Sequence, residues 1–467
     1  MMKSLTKLIA TIGPATETAE MMAKLIDAGM SVARFNTKHS SPQWHQERIE
    51  RMRQVAASKG VSVGILLDLQ GPEIRINLPE EKPFTLQEGE SCFFTFTFNP
   101  DYQKQVLIPQ NVIDTLQLGH TVLLDDGACE LEVIGKQAEF LQLKALGDCE
   151  VKHRKTMNVP GVTIDMPALV EADYQQLDEA AGKNNVDFVG LSFVRSSEDI
   201  EFLREQLAQR QMQTKIIAKI ENQAALNNLA AIVTASDAVM VARGDLGVEM
   251  PYEELVYWQK EIINLCHEHA KPVIVATHML KSMTEQPRPT RAEVSDVTHA
   301  IYDGTDAIML SEETTIGKYP LKAVATQAKI AAFNEAYVDY QLPLRESGNK
   351  DSAIANAVLD LIETSGMKVD HIVILTESGE SAHNLSCLHP SLPIIAVTGQ
   401  KHTYAILSLA YGALPVLVEP RVSGDFLQVV DELKKRQLLK SGEKIVMTHG
   451  IPNQVGGTNT ISILDIK

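Results

Sequence analysis

Eight short apolar runs rich in branched residues recur between residues 8 and 310, and most of them adjoin a stretch with the pattern of an amphipathic helix. Continuous apolar runs that alternate with helices are typical of parallel strands buried on both faces. Eight such units predict an α/β fold of the (β/α)8 TIM barrel type. The runs cover residues 8–12, 31–35, 63–67, 188–193, 216–220, 238–242, 273–276 and 307–310.

Polar side chains stand where most of these runs end. A charge inside a buried strand is costly, whereas the carboxyl ends of barrel strands face the pocket in which barrel enzymes place their chemistry. A salt bridge at a strand end would explain any one of these residues, but six strands that behave alike indicate a functional pocket. The residues are Arg34, Asn36, Asp68, Lys219, Glu221, Arg243, Asp245, Thr277, Ser311 and Glu313.

The eight-strand count requires that residues 72–158 form a separate insert. Alternating stretches such as 121–124 and 129–133, joined at Asp125-Asp126-Gly127, predict β-hairpins and hence a small all-β domain. The barrel would then comprise residues 1–71 and 159–340. After a polar stretch at 345–351, four further apolar runs at 372–375, 394–397, 416–418 and 445–448 predict a C-terminal α/β sandwich domain over 341–467.

Charge and composition limit the classes of molecule that the protein could bind. The chain carries 43 Lys and Arg against 60 Asp and Glu, for a net charge of -17, which disfavours nucleic acid and anionic membrane surfaces. No apolar run approaches the ~18 residues that span a bilayer. The five cysteines are scattered without a CxxC spacing, so we expect reduced thiols and a cytoplasmic protein.

One constellation points to phosphoryl transfer. Lys219 and Glu221 alternate at the end of the fifth run, and Gly244-Asp245 follow the sixth. Two carboxylates from adjacent strands suit Mg²⁺ or Mn²⁺ rather than zinc. Lys219 could neutralise a transferring phosphoryl group, and Gly244 allows backbone N–H groups to approach an anion closely.

The chain resembles the pyruvate kinase family from end to end. Stretches that carry the resemblance are Ala10-Thr11-Ile12-Gly13-Pro14, Gly71-Pro72-Glu73-Ile74-Arg75, Asn158-Val159-Pro160-Gly161, residues 240–251 and 287–296, and Gly317-Lys318-Tyr319-Pro320. The resemblance implies an enzyme that transfers the phosphoryl group of phosphoenolpyruvate to ADP, giving pyruvate and ATP in the last step of glycolysis. It also implies a homotetramer.

The resemblance implies a role for each strand-end residue. Arg34 would hold the phosphoryl group, and Lys219 would stabilise the transition state. Glu221 and Asp245 would bind the divalent ion. Thr277 would order a water or proton relay at the methylene carbon, because a threonine hydroxyl alone is too weak an acid.

The resemblance also makes the insert a lid that closes over the nucleotide and excludes water. Basic residues at the places of Arg75 and Lys155 would contact the nucleotide, with Asn36 and His39 nearby. The alternative for Lys155 is a solvated basic stretch, since it lies in Lys152-His153-Arg154-Lys155.

The clearest departure from the family is Lys38, which stands in place of a serine in Arg34-Phe35-Asn36-Thr37-Lys38-His39. In most members that serine helps to bind K⁺, together with the residues matching Asn36 and Asp68. We hypothesise that the Lys38 ammonium replaces the monovalent cation, so that K⁺ is not required. In the alternative, Lys38 turns to solvent or to nucleotide phosphates.

Other departures are Leu69-Gln70 for Thr-Lys, Thr156 for Gly, and Glu312 for the glycine of Ser-Gly-Glu-Thr. Glu312 would weaken anion binding unless it turns outward. Two other functions remain open at this point. One is a catalytically weakened regulatory relative, and the other is another metal-dependent, enolate-forming barrel enzyme.

A hydroxyl-rich loop in the third domain, with Thr376, Ser378, Gly379 and Ser381, resembles the family's allosteric site. Placed at a helix N-terminus, it could hold an effector phosphate. An ordinary helix cap by Ser378 is an equally good interpretation.

Overall fold

The structure is a computed structural model, and it describes residues 4–180, 185–338, 340, 350–423, 425–450 and 458–467. Most of the polar stretch at 345–351 therefore lies outside the described residues. Within the described part, none of the helices combines the length and the apolarity needed to cross a membrane.

The strands, in chain order, are β1 (Lys7–Thr11), β2 (Met30–Asn36), β3 (Gly64–Asp68), β4 (Phe84–Leu86), β5 (Ser91–Thr95), β6 (Gln105–Leu107), β7 (Thr121–Leu124), β8 (Cys129–Lys136), β9 (Phe140–Ala145), β10 (Cys149–Val151), β11 (Met157–Asn158), β12 (Phe188–Leu191), β13 (Lys215–Ile220), β14 (Ala238–Ala242), β15 (Val273–Ala276), β16 (Ala307–Leu310), β17 (His371–Leu375), β18 (Ile394–Thr398), β19 (Ala413–Leu417), β20 (Lys444–Gly450) and β21 (Thr458–Asp465).

The α-helices are α1 (Ala19–Ala28), α2 (Pro42–Lys59), α3 (Gln110–Thr115), α4 (Glu171–Gln175), α5 (Ser197–Gln209), α6 (Gln223–Asn227), α7 (Leu229–Ala235), α8 (Arg243–Glu249), α9 (Leu255–Glu268), α10 (Arg291–Tyr302), α11 (Glu312–Thr315), α12 (Pro320–Glu335), α13 (Lys350–Glu363), α14 (Glu380–Ser386), α15 (Lys401–Ile406), α16 (Pro420–Ser423) and α17 (Phe426–Lys435). Short 3₁₀-helices lie at Pro79–Glu81, Tyr252–Glu254, Lys281–Thr284 and Leu407–Leu409, and a π-helical turn at Gln176–Ala180.

Helix α2 shows how local sequence sets these bounds. The Ser41 side chain accepts a hydrogen bond from the Trp44 N–H, and Pro42 occupies the first turn, where its missing N–H costs nothing. Gly60 ends the helix in the left-handed conformation, with φ 65°, which glycine adopts without a steric penalty.

The predicted TIM barrel is confirmed. The eight strands pair in parallel in the closed order β1-β16-β15-β14-β13-β12-β3-β2. The predicted run 188–193 ends as a strand at Leu191, because the backbone at Phe193 turns to φ 56°.

The barrel interior is packed with apolar side chains rather than open. Ile9, Leu66, Ile217 and Met240 from different strands belong to one buried cluster, and Leu409 from the C-terminal part of the chain belongs to it as well. The 3₁₀-helix Leu407–Leu409 contacts β2 and β3. This leaves the carboxyl ends of the strands as the face where polar side chains can gather.

The insert consists mainly of β-strands, as expected, but it also contains the short helix α3 and the 3₁₀-helix Pro79–Glu81, so the prediction of an all-β domain is only partly correct. Its main sheet has the order β11-β7-β8-β9-β5-β6, and β10 pairs with β4 in a separate ladder. The hairpin between β7 and β8 turns at Asp125 and Asp126, which both have positive φ. The insert has its own apolar core, which includes Phe94, Val122 and Leu143.

The C-terminal part of the chain is a five-stranded sheet in the order β19-β18-β17-β20-β21. Four of these strands were predicted from their apolar runs, and β21 was missed. β21 pairs antiparallel with β20 at the sheet edge and alternates polar and apolar residues, so it lacks a continuous apolar run. The domain limits at 71/72, 158/159 and 340/341 stay predictions.

Two of the five cysteines lie side by side. Cys129 on β8 and Cys149 on β10 have their Cα atoms 5.2 Å apart, and the 19 residues between them fold so that the two strands meet. The expectation of reduced thiols stays a prediction. Cys92, Cys266 and Cys387 are buried.

We expect Gly13→Ala to lower the apparent unfolding temperature. Gly13 follows β1, and an added Cβ would lie 2.6 Å from Thr315 Cβ and 2.8 Å from Thr315 Cα. Backbone at that distance must shift, which costs about 1–3 kcal/mol by analogy with overpacked cores. Thermal unfolding measures the effect.

Gly147→Ala is the control, because nothing lies within 4 Å of a Cβ added there. Equal unfolding temperatures for the two variants would show that the loop after β1 is not tightly packed against α11.

Candidate active site

The barrel topology carries the predicted residues to one face. Arg34 and Asn36 lie on β2, and Asp68 is the last residue of β3. Lys219 lies on β13 with Glu221 just beyond it, and Asp245 lies in the first turn of α8, which follows β14.

A continuous series of ion pairs links four of these side chains. Arg34 Nε donates to Asp68 Oδ2 at 2.7 Å, and Arg34 Nη2 lies 2.6 Å from the same oxygen. Lys219 Nζ lies 3.4 Å from Asp68 Oδ1 and 2.8 Å from Glu221 Oε1. All four side chains are buried, so each charge depends on its partners for the solvation that water would otherwise provide.

The protonation states follow from burial and neighbouring charges. Burial would raise the pKa of Asp68, but Lys219 and Arg34 outweigh burial and hold it below its ordinary value. Burial would lower the pKa of Lys219, but Asp68 and Glu221 keep it above its ordinary value, so the ammonium stays charged. Burial raises the pKa of Glu221, opposed by Lys219 and reinforced by Asp245.

Glu221 fits a divalent cation. Its Oε2 accepts from the Phe193 N–H at 2.6 Å, while Oε1 has no hydrogen bond of good geometry from any described residue, although Lys219 Nζ lies close by. A buried oxygen without a well-placed donor, near a second carboxylate at Asp245, is a suitable ligand for Mg²⁺ or Mn²⁺. A cation there would also offset the burial that raises the pKa of Glu221.

Thr277 occupies a strained position. Its φ is 77°, an outlier for a β-branched residue, and His278 follows at 57°. The Arg243 guanidinium holds this turn by donating to the Thr277 carbonyl at 2.9 Å, and both of its terminal nitrogens donate to Asp296 at 2.6 Å. A Cβ at Gly244 would lie 2.7 Å from Thr277 Cγ2, so only glycine fits beside it.

Lys38 is turned into the protein, not to solvent. Its side chain is 17% exposed, and its Nζ donates to Glu73 Oε1 at 3.0 Å. The Lys38 backbone N–H donates to Asn36 Oδ1, and the ammonium lies 5.4 Å from the centre of the Phe193 ring. The other Glu73 oxygen lies 2.6 Å from Arg75 Nη2. The Glu73 carboxylate thus pairs with Lys38, the predicted replacement for the monovalent cation, and with Arg75, a predicted nucleotide contact.

The four predicted nucleotide contacts are less closely joined. Arg75 donates to the Arg154 carbonyl in addition to its pairing with Glu73. Lys155 is 40% exposed and pairs with Asp125 at 2.8 Å within the insert, so it is not simply solvated. His39 is exposed, and Asn36 is half-buried.

The hydroxyl-rich loop is held by its own contacts. The Gly379 N–H donates to Thr376 Oγ1 at 3.0 Å, and Ser381 Oγ donates to the same oxygen at 3.3 Å. Gly379, not Ser378, is the N-cap of α14, so the interpretation of Ser378 as the helix cap is wrong. Ser378 Oγ accepts only from the Glu380 N–H, at 3.4 Å.

The other departures from the family are placed as follows. Glu312 is exposed, and its Oε2 lies 4.0 Å from Lys281 Nζ, so it turns outward. The Gln70 N–H donates to Asp173. Thr156 Oγ1 donates to Asp126 Oδ1 in the insert.

Sequence reasoning missed three supporting residues. Ser192 Oγ accepts from Lys219 at 2.7 Å, and Thr11 Oγ1 accepts from Arg34 at 3.0 Å. The buried Asp173 carboxylate accepts from the backbone at Gln70 and Gly71, where the chain leaves the barrel. Each is a short polar residue beside a strand end or helix start, a pattern too common to single out from sequence alone.

Known proteins resemble this chain over almost its whole length. Two family models match the chain: pyruvate kinase, barrel domain, over residues 3–324, and pyruvate kinase, alpha/beta domain, over 352–464. The pyruvate kinase of Staphylococcus aureus strain USA300 is 40% identical over 467 residues, covering 98% of this chain and 80% of that protein, and that of strain bovine RF122 gives the same values. A crystal structure of a pyruvate kinase from Cryptosporidium parvum has a TM-score of 0.92 at 32% identity, covering 100% of this chain and 97% of that chain.

We expect Lys219→Gln to destabilise the fold more at pH 8 than at pH 5. The change removes the ammonium that pairs with Glu221, whereas Asp68 keeps its pair with Arg34. Breaking a buried pair costs about 3–5 kcal/mol. Burial already raises the pKa of Glu221, and the loss of Lys219 raises it further. The stability of the variant therefore falls as pH rises from the pKa of Glu221 in the unfolded chain to its raised pKa in the folded one.

The measurement is the apparent unfolding temperature at both pH values, with Lys215→Gln as control because Lys215 is partly exposed. A loss that is the same at both pH values would mean that the charge of Glu221 does not depend on Lys219.

Proposed function

This chain belongs to the pyruvate kinase family, and we propose on that premise that the ion-paired side chains at the barrel mouth form its catalytic centre. These are Arg34, Asp68, Lys219 and Glu221. As a pyruvate kinase, it is a phosphotransferase that acts on phosphoenolpyruvate and ADP. The observation that carries the assignment of residues is the convergence of Arg34 and Lys219 on one buried carboxylate, Asp68.

Arg34 and Lys219 bind and orient the transferring phosphoryl group. Both cations are buried and fixed by Asp68, so little reorganisation is needed when negative charge develops during transfer. Glu221 and Asp245 hold the divalent ion, which when bound supplies Lewis-acid stabilisation of the enolate oxygen. The backbone at Gly244 binds the substrate carboxylate.

Thr277 orders the water that delivers the proton to the methylene carbon. Its left-handed backbone fixes the hydroxyl beside Gly244, and Arg243 holds the turn from behind. Such strain is maintained only where the surrounding contacts over-determine it, as is common at active sites.

The division into a barrel (1–71 and 159–340), a lid (72–158) and a C-terminal domain (341–467) is part of the proposal. The lid closes over ADP, with Arg75 and Lys155 on its side and Asn36 and His39 on the barrel side. The separate apolar core of the insert supports its movement as a unit. Lys155 would exchange Asp125 for a nucleotide phosphate on closure.

Lys38 replaces the monovalent cation, and K⁺ is not required. The Lys38 ammonium is held by Glu73 in a mostly buried setting beside Asn36, which supports a fixed internal charge over a solvated side chain. Buried Glu73 needs a permanent positive partner on that side, which either K⁺ or a lysine can supply.

The test is pyruvate formation from phosphoenolpyruvate, ADP and Mg²⁺, with K⁺ or tetramethylammonium at equal ionic strength. We expect the wild type to be active in both. Lys38→Ser should lose about a hundredfold of its rate in tetramethylammonium, as for removal of one transition-state charge, and regain most of it in K⁺.

Lys24→Ser is the control, because Lys24 is an exposed lysine on α1. A wild type that is active only with K⁺ discards the role of Lys38. A wild type inactive under both conditions, with metal varied, favours a weakened regulatory relative.

Thr376, Ser378, Gly379 and Ser381 form an effector site for a phosphate-bearing ligand. The support is the exposure of Ser378 and the turn that brings the hydroxyls of Thr376 and Ser381 together. A cytoplasmic location is proposed from family membership.

The protein assembles as a homotetramer. Tyr252, Val256 and Tyr257 lie close together in sequence, at and just before the start of α9, and are 85%, 61% and 59% exposed, an apolar patch of the kind that marks an interface.

We expect the double change Val256→Glu and Tyr257→Glu to reduce the mass measured by light scattering, because burying two new charges opposes association. Leu118→Glu, at an equally exposed position in the insert, should leave the mass unchanged. A wild-type mass of one chain would refute the tetramer.

A further inference from the structure

One hydrogen bond joins the insert to the helix that carries Asp245. Asn158 is the last residue of β11, which pairs with β7 of the insert, and its Nδ2 donates to Glu249 Oε1 at 2.8 Å. Glu249 is the last residue of α8, and Asp245 lies one turn before it.

Helix α8 is held at both ends by side chains. Arg243 at its start is fixed by Asp296, and Glu249 at its end is fixed by Asn158. The first anchor belongs to the barrel, whereas the second belongs to the insert. Movement of the insert therefore pulls on α8 at the end away from Arg243.

The surroundings favour a contact that persists. Glu249 is half-buried, and burial raises its pKa, opposed by the hydrogen bond from Asn158 and reinforced by Asp245. A hydrogen bond to a carboxylate is stronger than one between neutral groups. Asn158, Glu249 and Asp245 also line one cavity of about 130 Å³ between the insert hinge and the barrel, together with Pro72 and Phe193.

We propose that Asn158 and Glu249 are a pair of positioning residues that couples the lid to the divalent-cation site at Asp245. Binding of the cation fixes α8, α8 fixes Glu249, and Glu249 fixes the hinge strand β11 through Asn158. This inference rests on the proposed function, because it takes Asp245 as a ligand of the cation.

The test uses Mn²⁺ alone and two measurements on the whole chain. Calorimetric titration gives the dissociation constant of Mn²⁺, and amide hydrogen exchange follows β7 and β11 with and without it. We expect Mn²⁺ to slow exchange in these strands of the wild type by about fivefold, the lower range of typical coupling between sites.

Asn158→Ala and Glu249→Ala should each abolish this slowing while changing the Mn²⁺ dissociation constant less than twofold. The double variant should behave like either single one, because the two residues act as one link. Glu249→Gln should restore the slowing, since its amide oxygen can still accept from Asn158. The control is Asn111→Ala, which removes a similar bond from the insert to the Asp165 carbonyl, a residue outside α8.

Variants that bind Mn²⁺ and keep wild-type protection would overturn the coupling, as would a wild type that binds Mn²⁺ without any change in β7 and β11. Failure of the proposed function looks different. In that case Glu221→Gln and Asp245→Asn would leave the Mn²⁺ dissociation constant unchanged, and the inference would fall with it.

Discussion

The arrangement of the barrel mouth depends on the need to solvate one buried ammonium. Lys219 is buried, and it stays charged because Asp68 and Glu221 lie on two sides of it and Ser192 accepts a hydrogen bond from it. Asp68 in turn requires Arg34, and Arg34 is oriented by Thr11 on the neighbouring strand. The closed barrel supplies these partners, because its strands end side by side around the same opening.

A second group of paired charges lies where the chain enters the insert. Glu73 stands between Lys38 from the barrel and Arg75 from the chain that enters the insert, so it joins the two parts electrostatically. Asp173 performs a related task for the backbone of Gln70 and Gly71. The start of the insert is therefore held by defined polar contacts, and its charges lie next to those of the proposed catalytic centre.

Much of the barrel and of the candidate site could be predicted from the sequence. Strands buried on both faces leave continuous apolar runs, and the polar residues at their ends are visible in the sequence. The positions of Arg34, Asp68, Lys219 and Glu221 follow from that rule. The pairing of Lys38 with Glu73 does not, since it joins residues 35 positions apart through a contact that only the folded hinge creates. Strand β21 and the proximity of Cys129 to Cys149 were missed for the same kind of reason: a half-polar edge strand has a weak pattern, and cysteine spacing does not reveal which strands meet.

The position of Leu409 limits how this protein could be divided during evolution or engineering. A side chain from the C-terminal sheet domain belongs to the apolar cluster inside the barrel, and the 3₁₀-helix that bears it contacts β2 and β3. A barrel separated from that helix would open its interior to water at the end opposite the proposed catalytic centre. The C-terminal part is thus a component of the barrel core as well as a sheet domain, and a gene fragment that ends before α13 would encode an incomplete barrel core.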